Sequence, residues 1–222
     1  MSQDLWTDVD RYITDRLAPR DDFFEEALKA SAAAGLPSIS VAPNQGKMLS
    51  VLATLTGARR ILEIGTLGGY STLWLGWALP LGGHIVTLEA DPKHAEVARA
   101  NIARAGLADS VEIRVGKALE TLPKLAAENP PAFDMFFIDA DKASIPEYFQ
   151  WALKLGRKGS LIVVDNVVRG GKIIDAASAD ANVQGVRRFY DMLAAEPRVS
   201  ATAIQTVGSK GYDGFALAVV VG

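Results

Sequence analysis

Residues 61–72 read ILEIGTLGGYST. Ile61, Leu62 and Ile64 form a short apolar run of the kind a buried parallel strand uses. Glu63 interrupts that run just before Gly65, and Gly68 and Gly69 follow in the same turn. Ser71 and Thr72 stand where hydroxyls cap a helix, which the pattern places over Leu73–Leu79. Strand, glycine turn and helix N-terminus make a ligand cradle, because glycines let a ligand come close to the backbone. A dinucleotide fingerprint needs G-x-G-x-x-G, whereas this turn is Gly65-Thr66-Leu67-Gly68-Gly69. No Lys stands where a phosphate-binding loop requires one. A glycine turn alone is also consistent with close strand–helix packing, so its use depends on the rest of the chain.

At 222 residues the chain is long enough for one α/β domain with a full core and a short extension. Apolar residues at 49% and charged residues at 22% fit a soluble globular protein. A formal net charge of -3 argues against nucleic acid as the main partner, since phosphate binding needs a basic face. Without Cys there is no disulfide framework, zinc–thiolate site or thiol nucleophile. The opening MSQDLWTDVDRY lacks the apolar core of a signal peptide, and no apolar run is long enough to span a bilayer. The expected location is cytoplasmic, with no membrane partner.

Residues 1–57 have helical periodicity. Leu5, Val9, Tyr12, Ile13 and Leu17 recur at helical spacing up to Pro19. Phe23, Phe24, Ala27, Leu28 and the alanines to Ala34 predict a second helix, stopped by Gly35 and Pro37, and a third opens near Pro43-Asn44. From Arg60 the pattern alternates. Strands are expected over 84–90, 111–117, 133–142 and 159–167, with helices over 92–106, 118–126, 144–155 and 182–196 between and after them. The tail predicts two strands, 199–207 and 215–221, joined by GSKGYDG. Repeated β–α units imply a doubly wound, mostly parallel sheet, and the short last connection implies an antiparallel final pair. Residues 1–222 are therefore expected to form one domain, with 1–57 a helical extension packed on it.

Glu89 ends the second strand, where an acid suits the two ribose hydroxyls of an adenosine. NAD enzymes and S-adenosylmethionine (SAM) enzymes share that feature, and an isolated acid at a strand end is often only solvated. Asp139 stands at the C-terminal end of the fourth strand and Asp165-Asn166 at that of the fifth. Strand C-termini face the ligand crevice of an open α/β sheet. Two carboxylates and an amide oxygen there form an all-oxygen set that favours a hard cation, Mg²⁺ first, with Mn²⁺ or Ca²⁺ also fitting. The competing reading is turn formation, common for Asp and Asn after strands. Lys142 follows Asp139 in DADK. Neighbouring positive charge makes a Lys give up its proton more readily, which suits a general base. His84 and His94 show no ligand spacing; the first begins a strand and the second falls on a helix surface.

The acid-then-glycine turn resembles motif I of class I SAM methyltransferases, and the wider chain resembles the cation-dependent O-methyltransferases, the group containing catechol and caffeoyl-CoA O-methyltransferases. The resemblance runs from about Val41 to the C-terminus through SVAPNQGKML, LEIGTLGGYST, VTLEADP, FDMFFIDADK, GSLIVVDNVVRGGKI and GYDGFALAV. It implies a Rossmann-like SAM methyltransferase fold. It also implies Asp139, Asp165 and Asn166 as metal ligands, Lys142 as base and Glu89 as ribose ligand. Glu63, Gly65, Tyr70 and Ser71 would line the methionine end of SAM. Val41 and Gly116-Lys117-Ala118 would surround the cofactor and its adenine, with Asp139 also beside it. Arg169 departs from the pattern, standing where plant members often carry Trp. The segment before the last strand also lacks a match to the substrate-contacting acid of the mammalian enzyme.

The expected activity is divalent-cation-dependent methyl transfer from SAM to one hydroxyl of a vicinal-diol aromatic, a catechol or hydroxycinnamoyl type. The alternatives are a non-catalytic SAM-binding module and an NAD-dependent oxidoreductase, the latter disfavoured by the glycine spacing. The N-terminal helices and a free sheet edge, together with the resemblance, predict a homodimer.

Overall fold

The computed structural model describes residues 2–18 and 21–222. Three helices come first: α1 (Gln3–Leu17), α2 (Asp22–Ala33) and α3 (Pro43–Leu55). Pro19, expected to stop the first helix, lies outside the described residues. The alternating part runs β1 (Arg60–Ile64), α4 (Tyr70–Trp77), β2 (His84–Glu89), α5 (Pro92–Arg104), β3 (Val111–Val115), α6 (Ala118–Ala127) and β4 (Met135–Ile138). It continues through a 3-10 turn (Lys142–Ser144), α7 (Ile145–Leu155), β5 (Leu161–Asp165) and a kinked 3-10 segment (Arg169–Ile174) to α8 (Ala181–Ala195), β6 (Val199–Gly208) and β7 (Gly211–Val220). Among the described residues no helix is long and apolar enough to cross a membrane.

The seven strands form one sheet in the order β3-β2-β1-β4-β5-β7-β6, with β7 antiparallel to both neighbours and the remaining pairs parallel. The doubly wound, mostly parallel fold with an antiparallel C-terminal pair is as the sequence predicts. Side chains alternate across the strands, and each face meets its own helical layer. Leu62, Ile64, Phe136, Ile138, Ile162 and Val164 pack with Phe149 and Phe189. Ile61, Met135, Phe137 and Val163 pack on the other face with Phe24, Leu49 and Trp74. Burying one such large apolar side chain stabilises the fold by about 1.5–3 kcal/mol. On that second face the Phe24 and Trp74 rings stack at 4.0 Å between centroids. Gly46 lets α3 lie against the Trp74 indole, since a Cβ there would stand 2.3 Å from it.

Strand order reverses between β1 and β4, and ligand crevices of open α/β sheets form outside such a switch point. Here the two strand ends nearly touch. Gly65, at φ +99, has its missing Cβ position 2.2 Å from the Asp139 carbonyl oxygen, so no side chain fits there.

Two local expectations need correction. Ser71 and Thr72 do not cap the following helix. It begins at Tyr70 behind a left-handed Gly69 (φ 83), and both hydroxyls donate to Glu63 instead. Starting at Tyr70 puts both residues inside the first turn rather than at the cap, and there their hydroxyls donate to the buried carboxylate instead of accepting from helix N–H groups. The fourth strand is also shorter than 133–142, because the chain leaves the sheet at Asp139 and enters the 3-10 turn at Lys142.

The first helix docks through polar contacts, with none of its side chains buried. Asp10 accepts from Asn44 Nδ2 at 2.8 Å and from the Ser209 backbone N–H at 2.7 Å, and Gln3 Nε2 donates to the Gly208 carbonyl at 2.9 Å.

Candidate functional site

A cleft of about 970 Å³ opens over the C-terminal ends of β1, β2, β4 and β5. Val41, Gly65, Tyr70, Ser71, Glu89, Gly116, Lys117, Ala118, Asp139, Lys142 and Asn166 all line it. Two residues singled out with them, Glu63 and Asp165, stand one layer behind the wall.

Glu63 is fully enclosed beneath the glycine turn. β1 and β2 pair Glu63 with Thr87, so the Thr87 hydroxyl donates to Oε2 at 2.7 Å, while Ser71 donates to Oε1 at 2.6 Å. The Thr72 hydroxyl also donates to Oε2. Burial pushes the Glu63 carboxyl up to about 7, against the pull of the three hydroxyls. Its link to the cleft is through Ser71, which lines it.

Glu89, at the end of β2, accepts from the backbone N–H groups of Thr66 at 3.2 Å, Leu67 at 2.7 Å and Asp91 at 2.9 Å. The acid therefore ties down the glycine turn and still presents lone pairs to the cleft. His94, in the first turn of α5, brings Nδ1 to 3.5 Å from Glu89 Oε1. His94 lines the cleft where the sequence placed it on a helix surface, since Pro92 starts α5 close enough to the Glu89 turn to aim its first turn inward.

The acidic end is built by β4, β5 and α3. Lys142 Nζ donates to Asp139 Oδ1 at 2.5 Å and is itself mostly buried. Helix α8 presses on this turn: a Cβ on Gly185 would lie 2.2 Å from the Lys142 carbonyl oxygen. Asp165 is buried, and its Oδ1 accepts from the Asn166 N–H at 2.8 Å while Oδ2 accepts from Gln45 Nε2 at 2.7 Å. Burial, and then the nearby Asp139 charge, push the Asp165 carboxyl well above the usual carboxylate range. Among the described residues no group of three His, Cys, Asp or Glu side chains is poised to hold a metal; this set has two carboxylates, with an amide as the third member. It nonetheless fits a hard cation. Two carboxylates repel each other beside a single ammonium, and every donor is an oxygen.

The loop after β5 has unusual backbone. Asn166 (φ 58), Arg169 (φ 55), Gly170 (φ 62) and Gly171 (φ 85) all take left-handed conformations. Asp213, at the start of β7, holds that loop: its Oδ1 accepts from the N–H groups of Val168 at 2.9 Å, Arg169 at 2.8 Å and Gly214 at 3.0 Å. This acid near the start of the last strand thus braces backbone. Arg169 lines the cleft.

Sequence reasoning missed Gln45, Asp213 and His94 as parts of this site. Gln45 and Asp213 lie far along the chain from what they hold, and no local pattern marks them. The spacing of Pro92 and His94 behind Glu89 could have marked the third.

A family model described as O-methyltransferase matches residues 16–219. A protein of Niastella koreensis named catechol O-methyltransferase is 55% identical over 220 residues, covering 99% of this chain and 100% of its own. The solved O-methyltransferase from Bacillus cereus in complex with SAH superposes with a TM-score of 0.98 at 58% identity, covering 99% of this chain and 100% of its own. The O-methyltransferase TomG from Streptomyces achromogenes, involved in tomaymycin synthesis and solved with SAM, gives a TM-score of 0.97 at 52% identity, with both chains covered in full (100%).

Proposed function

This chain belongs to the O-methyltransferase family and is a SAM-dependent O-methyltransferase, and we propose that its acceptor is one hydroxyl of a vicinal-diol aromatic. The acceptor is a catechol or a hydroxycinnamoyl-type compound, and the reaction depends on a divalent cation, Mg²⁺ first, held by Asp139, Asp165 and Asn166. One observation carries this reading: Asp139, Lys142 and Asn166 line one end of a cleft, with Asp165 just behind them and within range of the Asp139 and Lys142 charges, while the other end is glycine turn and Glu89. The catechol activity named for the Niastella koreensis relative supports it.

Methyl transfer needs an oxygen nucleophile in line with the sulfonium methyl. A phenol titrates at about 10, so little phenolate exists at neutral pH. When bound, the cation supplies the positive charge that stabilises the phenolate and open positions for two adjacent oxygens. Lys142 Nζ takes the hydroxyl proton, and Asp139 orients that amine through their contact. Glu89 accepts from the ribose hydroxyls. Gly65, Tyr70 and Ser71 surround the methionine end above Glu63, while Val41, Gly116, Lys117 and Ala118 enclose the adenine side. Tight positioning of both reactants supplies the rate.

We read the working unit as a cytoplasmic homodimer of one domain each, with residues 1–57 an extension on it. Leu5, Val9 and Tyr12 on α1, and Ile204 and Val207 on the edge strand β6, are exposed apolar side chains that a second copy would cover. Light scattering should give twice 23.7 kDa, and a monomer mass at micromolar concentration would remove the dimer.

The activity is tested by methyl-transfer assays on catechol, a hydroxycinnamoyl-CoA diol and phenol, with and without chelator. Diols should be methylated, phenol should not, and chelator should abolish turnover until Mg²⁺ or Mn²⁺ is returned. Full activity in chelator, or equal rates on phenol and catechol, would leave the carboxylates structural.

A further inference from the structure

Arg169 is the cation in the cleft wall that the methyl-transfer reading does not use. Its guanidinium makes no hydrogen bond to any described residue, and Nε is enclosed with no acceptor at all. Its nearest carboxylate oxygen, Asp213 Oδ2, lies 3.8 Å from Nη1, beyond hydrogen-bond reach. Asp213 cannot turn to close that gap without cost, because its other oxygen accepts three backbone N–H groups that hold the loop. By contrast, Arg114 and Arg198 each fork onto a carboxylate with contacts of 2.7–2.8 Å. Arg169 also occupies a left-handed backbone position (φ 55) that a glycine would adopt without strain. Arg169 thus stands in the wall of a cleft on a left-handed backbone, with a carboxylate at ion-pair distance but its guanidinium N–H groups left free to donate to an anion.

We propose that Arg169 recognises an anionic substituent, above all a carboxylate, on the aromatic acceptor, making acidic vicinal diols the preferred substrates over neutral ones. This rests on the vicinal-diol reading above. Asn166 and Arg169 share one tight loop, and three residues span at most about 11 Å even when extended. An acceptor whose hydroxyls meet the Asn166 end therefore has Arg169 within reach of its remaining ring positions. The planar guanidinium matches a carboxylate with two parallel N–H···O bonds, which a Lys ammonium cannot reproduce.

The test compares kcat/KM for 3,4-dihydroxybenzoate and caffeate with that for catechol and 4-methylcatechol, in the natural protein, Arg169→Gln and Arg169→Lys. The natural protein should prefer the acids. Arg169→Gln should lower the acid-to-neutral ratio by about 10- to 100-fold, the scale of losing a charge-assisted pair, mainly through KM. Arg169→Lys should restore only part of the ratio, because the charge returns without the fork. Calorimetric binding of 3,4-dihydroxybenzoate and catechol to the SAH-loaded protein with Mg²⁺ should show the same change in ratio without turnover. An unchanged ratio in Arg169→Gln, with both classes falling together or neither falling, would assign Arg169 to loop structure and overturn the proposal. Failure of the natural protein to methylate any vicinal diol would overturn the underlying reading, a result distinct from intact diol turnover without charge preference.

Discussion

Gln45 Nε2 donates to Asp165 Oδ2 at 2.7 Å, joining the first turn of α3 to the C-terminal end of β5. The Asn166 N–H binds the other oxygen, so the Asp165 carboxylate is held from both sides in one rotamer. Groups that fix a metal-binding carboxylate in this way commonly govern affinity for the ion by 10- to 100-fold. Gln45→Ala should therefore raise the Mg²⁺ concentration for half-maximal activity by about 10- to 100-fold while leaving SAM affinity nearly unchanged. A Mg²⁺ titration followed by activity and by calorimetry checks this, and an unaltered midpoint would make the contact a packing detail.

Glu89 has two tasks in this geometry, since it faces the cleft and also ties down the Thr66 and Leu67 N–H groups. Glu89→Ala should weaken SAM binding by about 1.5–3 kcal/mol, the scale of losing charge-assisted hydrogen bonds. Glu89→Gln keeps an acceptor for the turn and should lose less. Calorimetric titration separates the two, and equal affinity in all three proteins would remove Glu89 from the cofactor site.

Lys142 and Asp165 should fail differently. Lys142→Ala should lower kcat by about 10²- to 10⁴-fold, the usual contribution of a general base. Asp165→Ala should abolish turnover yet largely spare SAM affinity, because in the proposed reading that carboxylate serves the cation and acceptor rather than the cofactor. Parallel kinetics and SAM titrations test the split. A collapse of SAM binding in Asp165→Ala would show that the acid supports the whole cleft.

Glu63 makes a stability prediction with a definite sign. Its carboxyl is raised from an ordinary 4.5 to about 7 in the folded protein, so between those values the folded state holds more proton than the unfolded one. Stability from this group is full below pH 4.5 and is lost as pH rises toward 7. One pKa unit is worth 1.36 kcal/mol, so the loss amounts to about 3 kcal/mol at most. Glu63→Gln has no such titration. Melting curves from pH 5 to 8 should show the natural protein losing stability relative to Glu63→Gln as pH rises, and parallel curves would mean the carboxyl titrates normally.

Much of the fold could be read from particular residues. MFFI and LIVV are apolar runs of the kind that strands buried on both faces use, and Gly65 with Glu89 marks strand ends at a crevice. The cleft gathers most of the side chains chosen on those grounds. The rest was not legible for physical reasons. Ser71 and Thr72 have a capping pattern, yet the helix starts before them at Tyr70 and both hydroxyls donate to Glu63, whose burial sequence alone does not reveal. Gln45 and Asp213 act on residues brought near only by the completed sheet, and amide-to-carboxylate or carboxylate-to-backbone contacts leave no periodic trace.

Asp10 clasps α3 through Asn44 and the β6–β7 turn through Ser209, and Gly208 leaves room for it, since a Cβ there would stand 2.5 Å from Asp10 Oδ2. A polypeptide trimmed to begin at residue 21 keeps every side chain that lines the cleft. What trimming removes is a shared anchor between the residue just before Gln45 and a turn at the far edge of the sheet. Every fully buried core residue lies at Phe24 or beyond, and trimming takes from the two apolar cores the partly buried Ala18. The damage falls chiefly on how firmly the start of α3 is seated, one position from the amide that steadies Asp165. With Asp165 as a ligand of the proposed cation, a shortened enzyme would thus melt almost normally and handle its cofactor well, and would betray the missing helix by its appetite for metal.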